Sequence, residues 1–217
     1  MRFGRALWLG LGLVAALVRA AAAQSASDLF QQGIRAYQRL EFEAATALLQ
    51  RTLDLVPRDA ANLPVRSRVL DYLAAAAFFR GNRDSAIAAF RGVLERDPRH
   101  HLDDLVFPPE ISGLFEEVRR NTQVVVVETA ADTGIRLDSD RWVARLLASS
   151  FHHVDVALFL GDSIPYRSLY SGPVWDTLTL TWDGRDSLGT VARAGRYTLS
   201  VVSVAGGRPV RVVRVPL

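Results

Sequence analysis

The chain has 217 residues, 49% of them hydrophobic, and a formal net charge of +3. It contains no cysteine and no lysine, so all 26 basic side chains are arginine, and neither disulfides nor thiolate metal sites can hold it together. Three of the arginines lie in a leader-like first segment; without them 23 arginines face 23 acids, and the driving term for non-specific phosphate binding is missing.

Residues 1–23 have the layout of a secretory signal peptide. Arg2 and Arg5 make a basic start, Ala6 to Val18 an apolar run, and Ala21-Ala22-Ala23 a small-residue cleavage site before Gln24. The run is short for a membrane span. No cysteine follows it, which excludes lipid attachment at a processed cysteine. No later apolar run reaches spanning length, so an exported, periplasmic or cell-envelope protein without an integral span is expected.

Residues 24–120 carry apolar side chains at helical spacing. Leu29, Phe30, Ile34 and Tyr37 share one face, and Phe42, Ala45, Leu48, Leu49 and Leu53 the next, before Pro57 stops the pattern. Asn62 and Pro64 restart it through Leu70, Leu73, Ala74, Ala77 and Phe78. Gly81-Asn82 then makes a turn, and Ile87, Phe90, Val93 and Leu94 form a fourth helix before Pro98. Ala45, Leu49, Leu53 and Pro57 map onto Ala86, Phe90, Leu94 and Pro98 by one shift of 41 residues. Pro108-Pro109-Glu110 opens a fifth helix with Ile111, Leu114, Phe115 and Val118 on one face.

This pattern resembles the tetratricopeptide repeat over residues 27 to 98. Gly81, Ala86, Phe90 and Pro98 match its turn glycine, buried alanine, large aromatic and closing proline. In the first copy Gly33, Ala45, Leu49 and Pro57 match, but Leu40 stands where the turn glycine belongs. The shift exceeds the usual repeat of about 34 residues, and the surplus sits at Arg58 to Val65. About three repeats are normally needed to bury a core, so the fifth helix is expected to cap the second pair. The resemblance implies a partner groove lined by the first helix of each pair. Tyr37 and Phe78 take equivalent groove positions, with Arg35, Gln38, Arg68, Asp71 and Phe79 near them as partner-binding candidates. Packing of Phe78 and Phe79 into the helical core is the competing reading.

From residue 121 to 217 the period is two. Val124 to Val127 is β-branched throughout, Trp142, Ala144 and Leu146 alternate with Val143, Arg145 and Leu147, and Val154, Val156, Leu158 and Leu160 make another row. Thr177 to Trp182 puts threonines on one face and Leu178, Leu180 and Trp182 on the other. Tyr197, Leu199 and Val201 follow, then Val210 to Val215. About seven short strands separated by turn residues argue for a β-sandwich. Trp182-Asp183-Gly184-Arg185-Asp186-Ser187-Leu188-Gly189 with Ala194-Gly195-Arg196-Tyr197-Thr198-Leu199 resembles the Ig-like domain of flagellar hook-capping proteins. That resemblance implies a fold and an extracytoplasmic setting, not a flagellar role. The expected class is therefore α+β and multidomain, a tetratricopeptide-like helical repeat with a capping helix followed by an Ig-like sandwich.

Candidates for chemistry are sparse. His100-His101 lies near Asp103 and Asp104, and His152-His153 reads as a turn edge at the start of a strand; neither pair has a second ligand group at metal spacing. Asp183 and Asp186 lack the further oxygens of a calcium loop. Gly161-Asp162-Ser163 lacks a nucleophile elbow, and no phosphate-cradling glycine loop occurs. No catalytic residue, metal or cofactor is assigned. The expected function is non-catalytic protein–protein interaction, as an adaptor or assembly factor of the bacterial cell envelope. Two rivals are kept. A glycan- or cell-wall-binding sandwich would use an exposed row of Trp142, Tyr166, Tyr170 and Trp175. An envelope hydrolase would need a histidine and a carboxylate beside Ser163.

Overall fold

The computed structural model describes residues 25–129, 141–161, 163–205 and 208–216. The expected leader and Asp162 lie outside the described residues. Among the described residues five α-helices precede seven strands in two antiparallel sheets, so the chain is of the α+β class. It divides into two compact units, Met1–Phe90 with Leu105–Ile111 and Arg91–Asp104 with Ser112–Leu217.

The helices are α1 (residues 25–38), α2 (Phe42–Leu55), α3 (Leu63–Phe79), α4 (Arg83–Leu94) and α5 (Pro109–Asn121), with a 3₁₀ turn at Ala60–Asn62. The α1–α2 and α3–α4 turns are built alike. At the first, Glu41 N–H donates to Ala36 O and Leu40 N–H to Tyr37 O, both at 2.9 Å. At the second, Asn82 N–H donates to Ala77 O and Gly81 N–H to Phe78 O, again at 2.9 Å. All four atom pairs are related by the 41-residue shift. Each turn needs one residue at positive φ, where a side chain crowds the following carbonyl. Gly81 supplies it at φ 80°, and Leu40 supplies it at φ 63° despite its side chain. The second turn is also better capped, because Asn82 Oδ1 accepts from Ser85 N–H while Glu41 makes no side-chain cap.

Small residues bring helices together. A Cβ on Gly33 would stand 2.8 Å from Leu49 Cδ2, so only glycine lets α1 lie this close to α2. Ala45, Leu49, Ala74, Ala75 and Ala76 are fully buried, and α3 packs on α2. Arg66 ties the start of α3 to the end of α2. Its Nη1 donates to Leu53 O at 2.9 Å and Val56 O at 2.5 Å, carbonyls that a helix C-terminus leaves unpaired.

The strands form two sheets, ordered β1-β2-β5 and β4-β3-β6-β7. They are β1 (Val125–Thr129), β2 (Trp142–Ala148), β3 (His152–Leu160), β4 (Ile164–Val174), β5 (Thr177–Trp182), β6 (Tyr197–Ala205) and β7 (Arg208–Pro216). Residues of both sheets share one apolar core, including Trp142, Leu146 and Trp182 from the first and Val156, Leu158 and Leu199 from the second. Trp142 pairs directly with Trp182 in the β2–β5 register. Trp182 and Tyr197 lie 5.0 Å apart, and Tyr166 closes on Tyr197 at the same distance.

A buried polar joint links α5 to β2. Ser149 Oγ donates to Thr122 O and accepts from Val124 N–H at 3.0 Å, while Arg119 Nε donates to Ser149 O at 3.2 Å. Arg119 also donates to His101 Nδ1 at 2.9 Å, so that histidine serves the fold.

Candidate functional site

In the helical unit a cleft of about 920 Å³ opens between the start of α1, the end of α2 and the start of α3. Its walls are Phe30, Leu55, Val56, Pro57, Pro64 and Val65, and its polar lining comes from Ser27, Asp59, Asn62 and Arg68. A concave, largely apolar surface with a few polar groups is the usual form of a binding site. The connection Arg58 to Val65 supplies Asp59, Asn62, Pro64 and Val65, so the segment between α2 and α3 shapes this cavity. Leu55 and Val65 remain 41% and 43% exposed, which leaves the cleft open to a ligand from solvent.

The seven partner-binding candidates do not form one surface. Arg35 and Gln38 are exposed on α1, and only Arg68 lines the cleft. Tyr37 is buried at 8% exposure, against the expectation that it faces a groove. Its ring lies 5.3 Å from Tyr72, 5.7 Å from Phe42 and 6.3 Å from Phe107. Burial, with Tyr72 beside it, pushes its hydroxyl up to about 12, as expected for a phenol held in a core. Asp71 is also buried, at 3% exposure, so it too lies beneath the surface. Phe78 is half-buried, and Phe79 stacks on Phe42 at 5.1 Å with part of its ring exposed. The shift of 41 thus relates the backbone positions of Tyr37 and Phe78 but not their exposure, because Phe107 comes from outside the repeat to help cover Tyr37.

The proposed glycan row is broken. Trp142 is buried, and Tyr166 and Tyr170 pack against the core, leaving Trp175 at 76% exposure. Beside it stands Phe151, 66% exposed, edge-to-face at 6.2 Å. The pair caps one end of the strands next to Asp176, which holds φ at 58°. Phe151 was not singled out from the sequence, and its lone position between Ser150 and His152 offered no periodic signal.

The histidines make structural contacts. His100 packs on Phe115 at 6.0 Å. His152 is the first residue of β3, at the start of a strand as expected, but it is buried there and not at an exposed turn edge. Its Nδ1 donates to Ser150 O at 2.7 Å, while Nε2 is buried without a partner among the described residues. Burial lowers its pKa below 6.5. His153, Asp155 and Ser171 meet on the exposed face of β3 and β4. Ser171 donates to Asp155 at 2.7 Å, and both approach the same imidazole nitrogen, at 3.2 Å for Asp155 and 3.3 Å for Ser171. A catalytic relay requires the imidazole between hydroxyl and carboxylate, one on each nitrogen; here the hydroxyl proton goes straight to the carboxylate. That hydrogen bond is the main reason the Asp155 carboxyl lies below its usual value.

The Asp183 and Asp186 carboxylates are occupied within their turn. Asp183 accepts from Arg185 N–H and Arg167, and Asp186 from Leu188 and Thr190 N–H. Among the described residues no three histidine or acidic side chains cluster as metal ligands, and no helix is long and apolar enough to cross a membrane. No protein-family model and no curated protein matches this chain.

Proposed function

We propose that this protein is a non-catalytic adaptor or assembly factor of the bacterial cell envelope, in which a tetratricopeptide-like helical unit docks a segment of another protein and an Ig-like sandwich supports it. The repeat reading is supported by two turns with the same hydrogen bonds 41 residues apart, and by the burial of Ala45, Leu49, Ala86 and Phe90. The sandwich reading is supported by sheets of three and four strands around one core. The observation that carries the docking reading is the open apolar cleft beside Phe30, Leu55 and Val65.

A photo-crosslinking residue placed at Val65 in the full chain, in cells, tests this. The expected result is a discrete crosslinked partner at position 65 and none at the solvent-facing control Ala47. Equal labelling at both positions would sink the docking reading.

A saccharide-binding reading is favoured by one observation, the exposed Trp175–Phe151 pair, since an indole face stacks on the apolar face of a sugar ring. Trp142 and Trp182 are buried, so in protein lacking the leader expected at residues 1–23, which carries Trp8, Trp175 dominates quenching by acrylamide. Protection of that emission by soluble peptidoglycan fragments would favour this reading; unchanged quenching at saturating fragments would remove it.

A further inference from the structure

The charges around the cleft identify the kind of segment it takes. Two charged side chains line it, Asp59 and Arg68. Asp59 is committed to the fold: its Oδ1 accepts from Asn62 N–H at 3.0 Å and from Asn62 Nδ2 at 2.8 Å, holding the 3₁₀ turn. The negative end of α2 is covered as well, because Arg66 donates to Leu53 O and Val56 O. Arg68 is exposed and has no hydrogen-bond or ion-pair partner among the described residues. The start of α3, at Pro64 and Val65, adds the positive end of a helix dipole to the same wall. Asp59 keeps its negative charge but spends Oδ1 on the turn, so the charged group of the cleft without a partner among the described residues is Arg68, at the edge of an apolar surface.

We infer that the cleft binds an extended peptide segment whose apolar side chains fill the walls and which carries a carboxylate to Arg68. This rests on the docking reading above and adds its ligand chemistry. A guanidinium meeting a carboxylate at an apolar rim forms charge-assisted, frequently bidentate hydrogen bonds, about twice as strong as neutral ones. A basic segment would instead place like charges together. A lone acyl chain fits less well, because walls as open as Leu55 and Val65 would leave much of its length in water. A peptide brings its own polar backbone to that open side.

The test is selection of a displayed random dodecapeptide library on the full chain, followed by fluorescence anisotropy of the selected peptides. Three variants are compared: Arg68→Ala, Arg68→Glu and Val65→Asp. Both positions are exposed, and an aspartate in the first turn of α3 suits the helix dipole, so folding is retained and checked by circular dichroism. The expected peptides combine apolar residues with an acidic one, lose about tenfold in affinity on Arg68→Ala, and lose binding on Val65→Asp. Selection on Arg68→Glu is expected to turn to peptides bearing arginine or lysine. Peptides sensitive to Val65→Asp but indifferent to Arg68 would overturn the carboxylate inference and leave the docking reading standing. Peptides indifferent to Val65→Asp bind elsewhere and overturn both, as would a selection with no enrichment. Displacement of a selected peptide by dodecanoate at concentrations below its micelle threshold would assign the cleft to an amphiphile instead.

Discussion

Leu40 occupies a backbone conformation that suits glycine, and this gives a prediction with a diagnostic sign. Its φ of 63° matches Gly81 at the equivalent turn, and its side chain is 72% exposed, so little packing is at stake. Leu40→Ala and Leu40→Gly both remove that side chain and differ only in backbone preference. At an ordinary helical position alanine exceeds glycine by roughly 0.5–1 kcal/mol, because glycine loses more chain entropy on folding. The left-handed region reverses this, since an L-residue there costs roughly 1–2 kcal/mol. Subtracting the entropy cost leaves Leu40→Gly more stable than Leu40→Ala by about 0.5–1 kcal/mol. The control is Ala47→Gly on the exposed face of α2, which should lose about 1 kcal/mol. Urea unfolding followed by far-ultraviolet circular dichroism reads all of these, with the slopes required to agree. If alanine equals or exceeds glycine at position 40, the two turns are not built alike, and the structural equivalence of the two helix pairs fails with them.

Other outcomes follow from single contacts. Gly33→Ala would push a Cβ to 2.8 Å from the buried Leu49 side chain and should cost about 1–3 kcal/mol in the same urea assay; a neutral result would mean α1 and α2 can part freely. Ser149→Ala removes the hydroxyl that serves Thr122 O and Val124 N–H, and should cost about 2 kcal/mol. His152 gives a pH dependence. Burial holds its folded pKa below 6.5, so the unfolded chain takes up the proton first. Its contribution to stability is complete above about pH 6.5 and declines as the pH falls from there toward the lowered folded value. His152→Phe should flatten the stability profile between about pH 5 and 7, where most carboxylates stay ionised; an unchanged slope would place the titration elsewhere.

The elements were legible where a periodic face carried them. Thr177 to Trp182 alternates without a break and became β5, and α5 opens at Pro109, where a proline suits the first helical position. Strand β4 was not legible. Ile164–Val174 contains Pro165, Pro173 and Gly172, and its pairing with β3 slips at two places. Such residues argue against a central strand, but β4 lies at the edge of its sheet, where one row of backbone groups needs no partner. Burial was the harder quantity for the site. Tyr37 and Phe78 look alike on the repeat, yet one sits inside an aromatic cluster completed by Phe107 and the other is half-exposed. Only three-dimensional closure reports which side of a helix is covered.

The amino-acid order by itself determined the α+β division, the two helix pairs and the turn at which Leu40 replaces glycine, because these depend on residues within a few positions of one another. Tertiary structure decided what those residues can meet. It buried Tyr37 and Asp71, left Trp175 outside the core, and converted the connection of Arg58 to Val65 into one wall of a cleft. It also showed which charges are spent within the fold: Asp59 and Arg66 on neighbouring groups, Arg68 on none among the described residues. Asp59 meets Asn62 three residues on, but Arg66 reaches back to Leu53 and Val56 across the connection, and local sequence pattern carries no record of a contact of that kind.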